Sequence, residues 1–357
     1  MMKLSKIFKR QQEEKESLPK GIKPEAKEEE LGGHEAGAAS HATGDTRNVK
    51  ISSVLNKELE KISEASTSQL YAEILAKVKH IYKADLAAEP NFIPKLNPLI
   101  EKIVATLQSG NDEIILACLK DYPSIEEFLY YHVVNVCISS VAMGINLGYE
   151  RPHLVELGVA ALVHDIGTRS IEVGKSPEIF TGADHEKMKR HPDEGATILS
   201  KIDPGMSQRI LDAVRQEHER ADGSGYPQGL TADDINEYAQ IIGLADVYEA
   251  MMHQRPYRDK YSSLETIRII LKNKKIFSRK VTKTLIETFG IFPVDTLVQL
   301  NTKEIAVVVK PNPELISRPV IDVLIDSYGK ELKQPKRVNM AESPVIYIDN
   351  CVKTQPA

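Results

Sequence analysis

The chain has 357 residues, 41% of them hydrophobic and 27% charged, the mix of a globular protein with one large core or a core plus a small satellite. Its formal net charge of −5 supplies no global attraction to nucleic acid or to an anionic membrane, so a phosphate-bearing ligand needs local help from metal ions or a few arginines. No apolar run approaches the roughly 18–20 residues of a membrane span, and the basic N-terminus MMKLSKIFKRQQEEKE lacks the apolar stretch of a secretory signal. Cys118, Cys137 and Cys351 match no zinc or disulfide spacing, so the expectation is a cytoplasmic protein with reduced thiols, no membrane span and no DNA or RNA partner.

Residues 1–50 are rich in Lys, Glu, Gly, Ala and Ser. Too little apolar surface is present to offset the ordering entropy, which predicts a disordered tail or linker with His34 and His41 solvated. From 51 to 120 the pattern is helical: Ile51, Val54, Leu55 and Leu59 recur at helical spacing, as do Leu70, Ile74, Leu75 and Val78. Asn111-Asp112 supplies an N-cap for a short apolar helix, and this N-terminal helical region is also the expected place for a protein partner. Residues 121–289 carry further helices broken by loops, notably ADGSGYPQGL at 221–230. From 290 to 357 the texture is β-rich: Thr296–Leu300 and Ile305–Val309 read as a hairpin around Asn-Thr-Lys, with further strands at Pro319–Ile325 and Val345–Ile348. The expected fold is mainly α, a helical bundle with a small β-rich C-terminal appendage.

The chemistry-bearing residues cluster in the helical part. LVELGVAALVHDIG ends an apolar helix on His164-Asp165, and an imidazole beside a carboxylate at such a place suits a divalent cation. Alone the pair is weak, because the dipeptide is common. His132 lies on an otherwise apolar helix, His191 in KRHPDEG, and Glu217-His218 at the end of a helix whose apolar face carries Ile210, Leu211 and Val214. Asp246 interrupts the apolar stripe of AQIIGLADVYEAMM, where a carboxylate is costly unless paired or metal-bound. Each has a plainer reading by itself: His132 a satisfied core histidine, His191 a helix-start packer, Glu217-His218 a surface pair, Asp246 an arginine partner. One shared metal centre explains them together more economically than separate accidents do.

In order, the lead histidine, HDIG, KRHPDEG, HERADGSGYPQGL and GLADVYEAMMHQRPYR resemble the HD-GYP branch of the HD phosphohydrolases over roughly 120–310. The resemblance implies an HD-type helical bundle and hydrolysis of a cyclic dinucleotide, cyclic di-GMP first, to the linear dinucleotide or GMP. It also implies two divalent ions, iron or manganese. His132, His164, Asp165 and Asp246 would hold one, and Asp165 would bridge to another on His191 and His218, which makes Asp165 the central catalytic group. Gly225, Tyr226, Arg255 and Arg258 would line the substrate. The chain departs from the family pattern at two places: Thr168 stands where members read lysine, and Glu217 where they read histidine, an oxygen ligand that alters metal preference. Phe128 stands where some members carry a third-metal glutamate, so two ions are expected at most. The alternative is an impaired HD-GYP-like signalling module that binds a nucleotide or a protein partner, and a homodimer is compatible with either. His153, His185 and His253 match no ligand position and are expected at the surface.

Overall fold

The computed structural model describes residues 48–49, 69–83, 93–110, 113–118, 122, 127–172, 182–253, 260–294 and 296–354. The expected tail up to residue 47, the helix expected at 51–59 and the Asn111-Asp112 cap lie outside the described residues. One pairing departs from the expected tail: β1 (Asn48–Val49) runs parallel to β7 (Lys353–Thr354), a contact between chain ends that no local pattern announces.

Three helices are apolar all round, as buried central helices must be. They are α4 (Phe128–Asn146), in which every residue from His132 to Gly144 is buried, α5 (Arg151–Val163) and α9 (Glu237–Met252). Around them lie α1 (Gln69–Lys83), α2 (Asn97–Gln108) and α3 (Glu113–Ala117) on the N-terminal side. The short α6 (Gly182–Met188), α7 (His191–Ile202) and α8 (Gln208–Gln216) follow α5, and α10 (Ser263–Lys272) and α11 (Arg279–Phe289) follow α9. The outer helices each bury one stripe. In α1 it is Tyr71, Ile74, Val78 and Ile81, and α10 begins with a Ser262/Glu265 capping box.

Helix α4 corrects the reading that no apolar run approaches a membrane span. With 19 residues and a mean hydropathy of 1.5 it is long and apolar enough by composition, and 72% of that window is buried inside the protein. Its His132, Asn135, Ser139 and Ser140 broke the run in sequence, yet all four are buried. It packs against α5, α9, α1 and α11.

The C-terminal part is an antiparallel sheet in the order β5-β4-β3-β2-β6, built from β2 (Leu297–Leu300), β3 (Ile305–Lys310), β4 (Val320–Ile325), β5 (Glu331–Asn339) and β6 (Ile348–Cys351). The expected hairpin is β2–β3. Both faces of its centre are apolar: Val298, Leu300, Ala306, Val308, Ile321 and Val323 on one, Leu297, Ile305, Val307, Leu324 and Ile325 on the other. Two strand expectations need correction. Val345–Tyr347 precede strand β6, which begins at Ile348. Strand β5, sequence ELKQPKRVN, was missed because it is an exposed edge whose charges and Pro335 hide strand periodicity.

Candidate metal centre

Helix α4 delivers His132 and α9 delivers Asp246, while His164 is the C-cap residue of α5. One ligand atom from each of these three lies within 4.8 Å of the others, and all three belong to one group. A second group is made by His191, the first residue of α7, with Glu217 and His218 just past the end of α8. Asp165, next to His164 at the start of a 3-10 turn (Ile166–Ser170), stands between them. Its Oδ2 is 3.6 Å from His164 Nε2 and 3.9 Å from His132 Nε2, and its Oδ1 is 3.4 Å from His191 Nε2. One carboxylate thus turns one oxygen to each group.

The hydrogen bonds behind the imidazoles set what they present. His164 Nδ1 donates to the Ala161 carbonyl at 2.7 Å and His191 Nδ1 to the Met188 carbonyl at 2.7 Å, while His132 Nδ1 is bonded to the Glu249 carboxylate. A neutral ring with its proton on Nδ1 offers a bare lone pair at Nε2. Those Nε2 atoms face further acceptors. His132 Nε2 is 3.2 Å from Asp246 Oδ1, and Glu217 Oε1 is 3.1 Å from His191 Nε2 and 2.9 Å from His218 Nε2. Glu217 is fully buried, and its Oε2 has no hydrogen-bond partner among the described residues. A buried cage of acceptors is stable only when cations, protons or metal ions, sit among them, so this donor set fits divalent metal.

The charges respond to the same demand. Burial acts to lower the His191 pKa, but the hydrogen bond to Glu217 and the charge of Asp165 outweigh it and push it up to about 9. His164 is likewise raised, its burial overcome by Asp165, Glu217 and Asp246. Burial opposes ionisation of Asp246, yet its hydrogen bond and charge interaction with His132 hold it well below the usual carboxylate range. His218 goes the other way, lowered first by burial.

The loop at 221–230 runs beside the second group. Tyr226 stacks on His218 with ring centroids 4.7 Å apart, and its N–H donates to the His218 carbonyl at 3.2 Å. In this loop Gly223 and Gly229 take positive φ, and Gly225 does not. Glycine is required at 225 for space, since a Cβ there would lie 2.4 Å from Arg220 N and 2.5 Å from the His218 carbonyl oxygen. Arg255 and Arg258 lie outside the described residues. Thr168, at the position of the missing lysine, donates its hydroxyl to the Asp165 carbonyl at 2.7 Å, and Arg169 donates to the Ile81 carbonyl at 3.0 Å. His153 is half exposed and His185 exposed, but His253 is only 2% exposed, stacked on Tyr122; the helix end that carries it turns inward.

Two residues were missed. Glu219 is buried and accepts from the N–H groups of Gln228, Gly229 and Leu230 at 2.6–3.1 Å, pinning the loop. Glu249 stands behind His132. Its signal was its place, three residues after Asp246 and four before His253, on one face of an apolar helix.

Residues 131–281 match the model of an HD domain, and residues 297–356 that of a KOW domain associated with HD domains. An HD domain implies divalent-metal binding. A cyclic di-GMP phosphodiesterase of Pseudomonas aeruginosa is 30% identical over 235 residues, 65% of this chain and 56% of that protein. A cyclic di-GMP phosphodiesterase of Borreliella burgdorferi is 31% identical over 219 residues, 60% of this chain and 56% of that one. The chain therefore spans about half the length of the curated relatives it matches. In fold it is similar to a solved HDGYP protein of Bdellovibrio bacteriovorus, with a TM-score of 0.50 at 17% identity over 65% of this chain and 76% of that one. Residues 131–281 thus match an HD domain, and these matches laid over the motif series support the resemblance to the HD-GYP branch.

Proposed function

We propose that the chain is a metal-dependent phosphodiesterase that hydrolyses a cyclic dinucleotide, cyclic di-GMP first, to the linear dinucleotide or GMP. The observation that carries the reading is the pair of buried ligand groups with Asp165 turned to both. His132, His164 and Asp246 would hold one divalent cation, His191, Glu217 and His218 would hold a second, and Asp165 would serve both; iron and manganese suit this mixed nitrogen and oxygen set. Divalent cations bound there would supply Lewis acidity toward a water molecule and toward the phosphodiester oxygens. The chain's own residues fix geometry. The backbone carbonyls of Ala161 and Met188 hold His164 and His191 with their Nε2 lone pairs inward, and Tyr226 shields His218 from solvent. By the family resemblance, Arg255 and Arg258 would bind a substrate phosphate. No side chain forms a covalent bond to the substrate.

A second reading, a catalytically impaired module that binds a nucleotide, is favoured by Thr168 and Arg169. Both are engaged with backbone carbonyls, leaving the missing lysine's charge unreplaced by either. One experiment separates the two. Purified protein is analysed for metal and incubated with manganese or iron and either cyclic di-GMP or 3′3′-cGAMP. The proposal expects two equivalents of metal and a linear product, both lost in His164→Ala and Asp165→Ala. Turnover that persists in both variants refutes the metal centre, and nucleotide binding with neither metal nor turnover establishes the second reading.

A further inference from the structure

We infer that Glu249 is a positioning residue for the first ligand group, acting through His132. The inference rests on the two-cation reading above. Glu249 lies one turn after Asp246 on α9 and is only 3% exposed. Its carboxylate is bonded to His132 Nδ1 and to the Tyr122 hydroxyl, accepts from Asn135 Nδ2 at 3.2 Å, and lies 3.0 Å from His253 Nδ1. Asn135 is itself held, its Oδ1 accepting from the Tyr71 hydroxyl of α1 at 2.7 Å. Groups from α4, the end of α9 and the chain at residue 122 thus converge on one buried carboxylate, with α1 bracing Asn135 behind them.

Packing alone does not require a charge at this place, and burying one is costly. What the charge does is visible at His132. The other two anchored histidines of the centre lean on backbone carbonyls; His132 leans on an anion. A carboxylate behind Nδ1 fixes the tautomer, sets the ring plane and makes Nε2 a stronger donor toward a cation. That Nε2 is the atom 3.2 Å from Asp246 and 3.9 Å from Asp165. Glu249 therefore governs the affinity of the first group and leaves the second, on α7 and α8, untouched.

The test is Glu249→Gln in the full chain, a change of charge at nearly constant volume. Metal-free protein is titrated with manganese by calorimetry, and the loaded protein is examined by electron paramagnetic resonance. Wild type is expected to bind two ions and give the signal of a coupled pair. The variant is expected to bind one ion as before and the other about 10- to 100-fold more weakly, with the signal of an isolated ion at one equivalent. Two unchanged affinities and a coupled-pair signal in the variant overturn the inference while leaving the proposed function standing; wild type that binds no metal overturns both. Should the variant not fold, the wild-type protein loaded with zinc carries the test by nitrogen-15 histidine spectroscopy. A slowly exchanging, strongly downfield proton on His132 Nδ1 is expected, and one exchanging as fast as an exposed imidazole overturns the inference.

Discussion

Gly167→Ala probes how tightly the two ligand groups are locked together. Gly167 is the last residue of HDIG, two positions after Asp165, in the turn that packs beneath the start of α7. A Cβ at 167 would lie 2.0 Å from the His191 carbonyl oxygen and 2.5 Å from Gly195 N, whereas ordinary contact begins at 3.4 Å. The obstruction is backbone, so no side chain can swing aside. The segments must separate by about 1.4 Å at the carbonyl. That carbonyl belongs to the residue whose Nε2 stands 3.4 Å from Asp165 Oδ1, so the bridge stretches with it. Overpacking of this kind costs about 1–3 kcal/mol of stability, and a misplacement on the order of 1 Å in a catalytic array lowers turnover about 100-fold. Urea unfolding of the metal-free variant reads the first, and manganese titration with cyclic di-GMP hydrolysis reads the second. Metal affinity should fall more at the group containing His191 than at the group containing His132. A variant with wild-type stability and wild-type turnover would show that the turn and α7 are free to part, and the argument from close packing would fail.

Two further outcomes are expected away from the centre. Asp322 on β4 is 8% exposed and receives both Nε and Nη2 of Arg337 at 2.9 Å, so Arg337→Ala leaves a nearly buried carboxylate unpaired. The loss should be about 1–2 kcal/mol by denaturant unfolding with the proposed phosphodiesterase activity unchanged, and an unaltered midpoint would refute the pairing's role. Glu237, at the start of α9, is held below the ordinary glutamate value of 4.5: its burial acts upward, but hydrogen bonds from Lys280 and Tyr149 outweigh it. A depressed carboxyl contributes stability above its unfolded pKa and loses it as pH falls through the folded one. Lys280→Met should move the carbon-13 titration of Glu237 upward, so that the acid loss of stability from this group becomes smaller and is complete at a higher pH; an unmoved titration counts against the contact.

The parts of this molecule written in local pattern could be read from sequence, and those written in long-range contact could not. His132, His164 and Asp246 were legible because a polar group in an apolar helix is conspicuous whatever the fold. The gathering of these three into one buried group and of His191, Glu217 and His218 into another, with one oxygen of Asp165 turned to each, follows from how the helices pack; spacing does not encode it, and the sequence offered it only through the family resemblance. Glu249 and Glu219 escaped because an acidic residue near a helix end or in a loop looks solvated until the fold closes over it. Strand β5 escaped for the opposite reason, its solvent-exposed edge residues being indistinguishable from a loop. His253 was placed outside because no pattern locates the inward turn that stacks it on Tyr122.

The two departures from the family motif act in one direction. Replacing a lysine by Thr168 removes a positive charge, and replacing a histidine by Glu217 adds a negative one, so the centre is more anionic by two than the motif it resembles. Asp165, Asp246, Glu217 and Glu249 bring four carboxyl groups into a space where all four side chains are largely or wholly buried, and the two divalent cations proposed would balance four carboxylates. The balance makes a demand on metal identity. Carboxylate suits manganese, and imidazole suits zinc and iron. Glu217→His restores the nitrogen and removes a charge from the group with the fully buried carboxylate. The preference for manganese over zinc, read by competition on metal-free protein, should then fall by on the order of tenfold in the variant. If the ratio stays where wild type has it, Glu217 is no ligand, and the anionic character of the site must be neutralised by protons on His164 and His191 instead.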